Sequence, residues 1–253
     1  MSLTTTGHNY ISLLLRGLLA GLIAGLLAGA FAYTFGETHI DAAIAIEKAA
    51  APPAEPGAVE EEPLVSREGQ KAGLVLATTL YGIAMGGILA TAFTLLRRRL
   101  RTPSDSRAAF SLAGAALAGI VVVPFLKYPP NPPAVGDPET IGQRTWSYLA
   151  VLVLGLVAVW ASVIAARTQT VEWRRAAAGV VAFLVVVSIA YLLLPDINEV
   201  PETFPASLLW DFRITSLGVQ TVLWTVLGIA FGALVTPRGA PARPVAAEET
   251  AAA

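Results

Sequence analysis

The residues of this chain that could do chemistry fall into three clusters set between long apolar runs. The first is Glu37, His39 and Asp41, one imidazole and two carboxylates within five residues. Alternating spacing suits an extended turn, where i and i+2 share a face, or the opening of a helix. Such a set suits a borderline divalent ion such as Co2+, Ni2+ or Zn2+. The competing reading is an acidic loop that caps a helix N-terminus and holds nothing.

The second cluster lies in KYPPNPPAVGDPETIGQRT, residues 127–145, and comprises Lys127, Tyr128, Asn131, Asp137, Glu139, Gln143 and Arg144. Its prolines fix φ and remove backbone donors, so the stretch reads as non-helical, a shaped polar cap rather than a linker. Asp137 or Thr140 is expected to cap the helix that follows. The third, in LPDINEVPETFPASLLWDFR, holds Asp196, Asn198, Glu199, Glu202, Asp211 and Arg213. Arg144 and Arg213 are expected to pair with the acids of these loops. If the three loops converge, Glu37, His39, Asp41, Asp137, Glu139 and Glu199 are the candidate metal donors. The other polar groups support them, with Gln220 deeper in the last apolar run.

Catalysis has no foothold. The chain has no cysteine and only two histidines, His8 and His39. It contains no Walker A sequence, no GxSxG and no HExxH. It therefore does not read as an enzyme, and neither a permanently bound cofactor nor a nucleic-acid partner is expected. If solute moves at the expense of ATP, another chain hydrolyses it.

The elements that must position these clusters are membrane helices. The composition is 55% hydrophobic with 14% charged residues, against about 25% charged in soluble domains. Six stretches approach the roughly 20 apolar residues needed to cross a bilayer: 11–35, 73–96, 108–126, 147–166, 176–194 and 214–235. The fold class is thus all-α, a polytopic helix bundle over residues 1–236. The segment GETHIDAAIAIEKA reads as a separate short helix in the first long loop, residues 50–66 as a flexible linker, and 237–253 as a disordered tail. A cleaved first segment would leave five spans. The run is about twice a usual signal-peptide core, which favours six.

Charge sets the orientation. With both termini inside, the inner segments hold Arg16, Arg97, Arg98, Arg99, Arg101, Arg107, Arg167, Arg174, Arg175, Arg238 and Arg243, which is 11 of 17 basic residues. That is the positive-inside pattern. Fourteen of 18 acids fall outside, an electronegative rim that concentrates cations. The spans themselves hold no Asp, Glu, Lys or His, and Arg16 sits where it can snorkel inward. This absence argues against a self-contained proton- or sodium-coupled carrier. Thr78, Thr79, Tyr81, Thr91 and Gln220 are the polar groups left to line a path.

Glycines recur at helical spacing: Gly21, Gly25 and Gly29, Gly82 and Gly86, Gly228 and Gly232. In lipid such faces let backbones approach closely, within the bundle or between copies in a homo-oligomer. Tyr128, Trp146, Tyr148, Trp173 and Trp210 lie near span ends as an interfacial belt does. Trp160 and Trp224 lie mid-span and read as packing residues.

The run VVPFLKYPPNPPAVGDPETIGQRTWSYL, with LLAGLIAGLLAGAFAYTFGETHIDAAIAIE before it and LLLPDINEVPETFPASLLWDFRITSLGVQTVLWTVLGIAFGAL after it, resembles the CbtA family over about residues 13–234. These are bacterial membrane proteins proposed to be cobalt transporter subunits. The resemblance implies cobalt uptake at the inner membrane linked to cobalamin synthesis, with Co2+ as cargo. It also implies a small partner, CbtB, whose single span carries a His-containing metal-binding end. Beside this stand two other readings, a permease for a corrinoid or other organic solute and a non-transporting membrane scaffold.

Overall fold

The computed structural model describes residues 9–50, 65–100, 102 and 104–236. Over these residues the chain is helical, with six helices long and apolar enough to cross a membrane: α1 (Tyr10–Ala50), α2 (Arg67–Leu96), α3 (Asp105–Lys127), α4 (Pro138–Arg167), α5 (Glu172–Leu193) and α6 (Ala206–Val235). The expected linker lies almost wholly outside the described residues, and so does the tail.

The helices run past the apolar stretches that announce them, because membrane thickness limits apolarity and capping limits the helix. Asn9 accepts a hydrogen bond from Ser12 N at 2.8 Å and starts α1; the side chains of Ser66 and Ser104 cap α2 and α3 in the same way. The segment expected as a separate short helix is instead a continuation of α1. A π-helical turn at Ala32–Gly36 carries the backbone through without a break into Glu37–Ala50. Likewise, part of the proline-rich stretch is helical. Pro138 opens a 3-10 turn that leads into α4, since a proline in the first turn gives up an N–H that has no helical partner anyway.

Glycine decides which helices touch. Along the α1–α2 crossing, a Cβ at Gly21 would lie 2.2 Å from Gly82 O, and one at Gly86 would lie 2.1 Å from Gly17 O. Gly25 and Gly29 continue the seam against Thr78. A second crossing, absent from the motifs read in sequence, joins α3 to α4: a Cβ at Gly155 would lie 1.9 Å from Gly119 O. Gly119 sits in a second π-helical turn, Leu117–Val122. On α6, Gly228 and Gly232 receive Ala113, Phe110 and Ser106 of α3. Every glycine face proposed for oligomer contact is therefore filled by the chain's own helices.

The resulting order of packing is α2 on α1, α1 on α6, α6 on α3, α3 on α4 and α4 on α5. The close-packed core lies toward the end where α1 begins. Leu13, Leu89, Phe93, Leu223, Trp224, Leu227 and Phe231 are buried there, and the Phe93 and Phe231 rings meet edge to face at 5.4 Å. Trp224 packs as expected. Trp160 does not: it is 65% exposed on the lipid-facing side of α4, where the bilayer rather than protein receives it. Trp146, Trp173 and Trp210 are also exposed, near helix ends.

The two ends differ in charge. At the basic end, Arg97 Nε donates to Asp105 Oδ1 at 2.5 Å across the α2–α3 turn, and Arg167 Nη2 donates to Arg99 O at 2.8 Å. The clusters of interest occupy the other, acidic end. Gly86→Leu is expected to cost about 3 kcal/mol or more, at the top of the range for overpacking, and Gly155→Leu the same. Gly114→Ala, with nothing within 4 Å of its added Cβ, is the control. Thermal unfolding of the detergent-solubilised chain checks all three.

Candidate functional site

At the acidic end the second and third clusters are knitted together. Lys127, at the end of α3, donates to Tyr191 O at 3.2 Å and forms an ion pair with Asp196. Tyr128 Oη donates to Pro195 O at 2.7 Å. Asp137 Oδ1 accepts Glu139 N at 2.9 Å, so Asp137 caps the turn into α4, whereas the Thr140 side chain makes no cap. Thr140 Oγ1 instead lies within hydrogen-bonding reach of both Asp137 O and Glu199, which share its single proton.

Glu199 is the centre of this knot. Its side chain is 4% exposed and takes Arg144 Nη1 at 2.5 Å. A carboxylate this buried needs partners that replace the lost water, and Arg144 and Thr140 supply them. The loop shape is part of the arrangement: Gly136 has φ +152°, and a Cβ there would sit 3.2 Å from Arg144 Nη1. The pairing expected of Arg144 is thus present. Arg213 differs, donating from Nη2 to the Asn131 amide oxygen at 2.8 Å rather than to an acid.

The first cluster is held by its own hairpin. Because Glu37–Ala50 is helical, Glu37 and Asp41 lie one turn apart on one face, and His39 is turned away from both. Arg67, at the start of α2, bridges Glu37 and Asp41, and Lys71 adds a contact to Asp41 at 3.3 Å. The hydrogen bond from Arg67 holds the Asp41 carboxyl below its usual range, with Lys71 acting in the same direction. A carboxyl depressed on folding contributes fully above its unfolded value and is lost as pH falls through the folded one. His39 Nδ1 is buried without a hydrogen-bond partner among the described residues.

Glu139, Gln143, Asn198, Glu202 and Asp211 are exposed on the same end of the bundle. Among the described residues, no group of three or more His, Asp or Glu side chains is placed to hold a metal ion. The two knots are separate clasps that share no residue.

Beside the second knot, with Arg144 in its wall, lies a cavity of about 610 Å³, within the range of small-ligand sites. Its walls are Tyr81 of α2, Ile120, Val121 and Phe125 of α3, Tyr128 to Asn131 and Val135 of the loop, Arg144, Thr145, Tyr148 and Leu149 of α4, and Ser216, Leu217 and Gln220 of α6. Gln220 lies seven residues beyond Arg213, about 10 Å deeper at 1.5 Å per residue. Of the polar groups read as path-lining, Tyr81 and Gln220 reach this space. Thr78, Thr79 and Thr91 instead donate to carbonyls of their own helix. Ser216 and Tyr148 were not singled out in sequence as cavity residues. The signal was the spacing Arg213, Ser216, Gln220, a polar i, i+3, i+7 stripe on an otherwise apolar helix.

A family model described as CbtA, probable cobalt transporter subunit, matches residues 10–236. No curated protein and no solved structure matches the chain. The chain belongs to the CbtA family, and its place is that of a probable cobalt transporter subunit in a multi-pass membrane setting.

Replacing Gly136 by Val is expected to push Arg144 off Glu199, through both the added side chain and the unfavourable φ. Arg144 is 41% exposed and solvent screens its charge, so the loss falls below the roughly 3–5 kcal/mol of a fully buried pair. The thermal midpoint checks it, and Gly142→Val, in open space, supplies the comparison.

Proposed function

We propose that this chain is the permease subunit of a cobalt uptake system of the bacterial inner membrane, linked to cobalamin synthesis. Both termini lie inside, and Co2+ enters at the acidic end. The observation that carries this reading is the cavity, which is lined in part by Arg144 and Asn131 of the loop and helix start where the second acidic cluster lies. Electrostatics supports the direction. The rim raises the local cation concentration, and the basic turns rest against anionic headgroups on the other face.

Glu37, His39 and Asp41 act in this reading as transient donors, with Asp137, Glu139 and Glu199 across the mouth. Arg67 and Lys71 compete with the metal for Glu37 and Asp41, which keeps capture weak and release fast. The close-packed layer of Leu223, Trp224, Leu227 and Phe231 below Gln220 means that onward passage requires a rearrangement. A small single-span partner with a His-bearing end, as the CbtB proteins supply, delivers the metal to the mouth.

The test is uptake of radiolabelled Co2+ by vesicles containing the chain, with and without such a partner. Changing Glu37, His39 and Asp41 together to Ala is expected to lower uptake by about tenfold or more, since losing a single charge-assisted contact already costs on the order of tenfold. Normal uptake in that variant removes the first cluster from the route. Uptake competed by free cobinamide points to an organic cargo instead, and no flux under any condition points to a scaffold.

A further inference from the structure

The cavity beside the second knot has a cationic group in its wall and no anionic one. Its lining contains no carboxylate and no imidazole, and most of it is apolar: Ile120, Val121, Phe125, Val135, Leu149 and Leu217. Tyr81 and Gln220 are set against each other as hydrogen-bond partners. Arg144 lies in the wall, and Glu199 offsets its charge. Arg213 stands at the edge, with Ser216 and Leu217 of the lining one turn deeper on α6. Among the described residues its guanidinium makes one hydrogen bond, to Asn131 Oδ1 at 2.8 Å, and no ion pair. Its Nε is buried without a hydrogen-bond partner among the same residues.

We infer that the cavity binds an organic anion with an apolar body. The carboxylate or phosphate oxygens sit on Arg213 and Asn131, and the body lies against the walls of α3, α4 and α6. The inference goes beyond the permease reading and does not depend on it. Three observations support it. The first is charge. A guanidinium partly removed from water without a counter-ion is costly, and of its five N–H donors Asn131 takes one. A carboxylate or phosphate meets the others in the forked geometry that arginine favours.

The second observation is directional. Arginine only donates, so the Asn131 oxygen faces Arg213 and the amide N–H groups are left for a ligand. Asn131 is itself part of the lining. Arg144 adds the N–H groups beyond the Nη1 that serves Glu199. The third is size and surface. A cavity of about 610 Å³ suits an organic ligand rather than an inorganic ion, and its aliphatic and aromatic walls favour an apolar body. These walls offer a cation no counter-charge. An anion seated here brings one, so the site is compatible with a cation route through the same mouth.

Phenylpropionate, which joins a carboxylate to a ring, is the probe. Calorimetry on the full chain in phosphatidylcholine nanodiscs gives its affinity. The neutral amide, phenylpropionamide, keeps the shape and is expected to bind about tenfold or more weakly, the loss of a charge-assisted hydrogen bond. Acetate keeps the charge without the body and is also expected to bind about tenfold or more weakly. Arg213→Gln keeps a donor for Asn131 and removes the charge. It is expected to weaken phenylpropionate binding by about tenfold or more and to leave binding of the amide unchanged. Arg175→Gln, exposed at the start of α5, is expected to change neither. Thermal midpoints confirm that both variants fold, and the amide and acetate comparisons on the unaltered chain stand without them.

Such an anion has two sources, a lipid headgroup of the bilayer and a free solute. Repeating the titration with phosphatidylglycerol in the nanodisc, in salt high enough to screen the surface, separates them. Weakened binding assigns the site to a lipid anion, and unchanged binding assigns it to a soluble one. Four results overturn the inference: no binding of phenylpropionate, amide binding equal to it, acetate binding equal to it, or an unchanged affinity in Arg213→Gln.

Discussion

Backbone-to-backbone approach at glycine is the constraint on which the structure depends. Inside a bilayer, apolar side chains gain little by leaving lipid for protein, so helices associate through packing. Two crossings provide it. Gly17, Gly21 and Gly25 lock α1 to α2, and Gly119 with Gly155 locks α3 to α4. Helix α6 joins the pairs through α1 on one side and α3 on the other. The cavity is walled by α2 from one tight pair, α3 and α4 from the other, and α6, which joins them.

Polar interactions then finish what packing leaves open. The membrane core carries no carboxylate, most acids gather at one end, and there the knots give Glu37, Asp41 and Glu199 a counter-charge. Arg67 serves Glu37 and Asp41; Arg144 serves Glu199. These pairs tie the loops to the helix ends. Among the described residues no group of three or more His, Asp or Glu side chains is placed to hold a metal ion.

The six spans were legible because an uncharged apolar run of about 20 residues matches the thickness of a bilayer. The helix ends were not, since hydropathy marks where lipid stops and caps such as Asn9 and Ser66 mark where the helix begins. That difference also decided the first cluster. An alternating Glu37-His39-Asp41 set converges on an extended strand, but the π-helical turn before it keeps the chain helical and turns His39 away. In the other clusters, Arg144, Asn131 and Gln220 were legible as polar residues at the mouth or below it. The choice of partner was not: Asn131 rather than an acid receives Arg213, which depends on where the proline-rich loop folds. Gly155 was invisible because a lone glycine in an apolar run carries no spacing signal, and only Gly119 opposite it gives it meaning.

The central claim is that Co2+ enters from the outer face through the cavity at the acidic end. The chain has no cysteine, so a single cysteine placed at Ser216 reports on that space alone. In sealed vesicles of known orientation, a membrane-impermeant thiol reagent added outside is expected to modify Ser216→Cys, and Co2+ is expected to slow the reaction. Modification only from the inner side, or a rate indifferent to Co2+, would contradict the assignment.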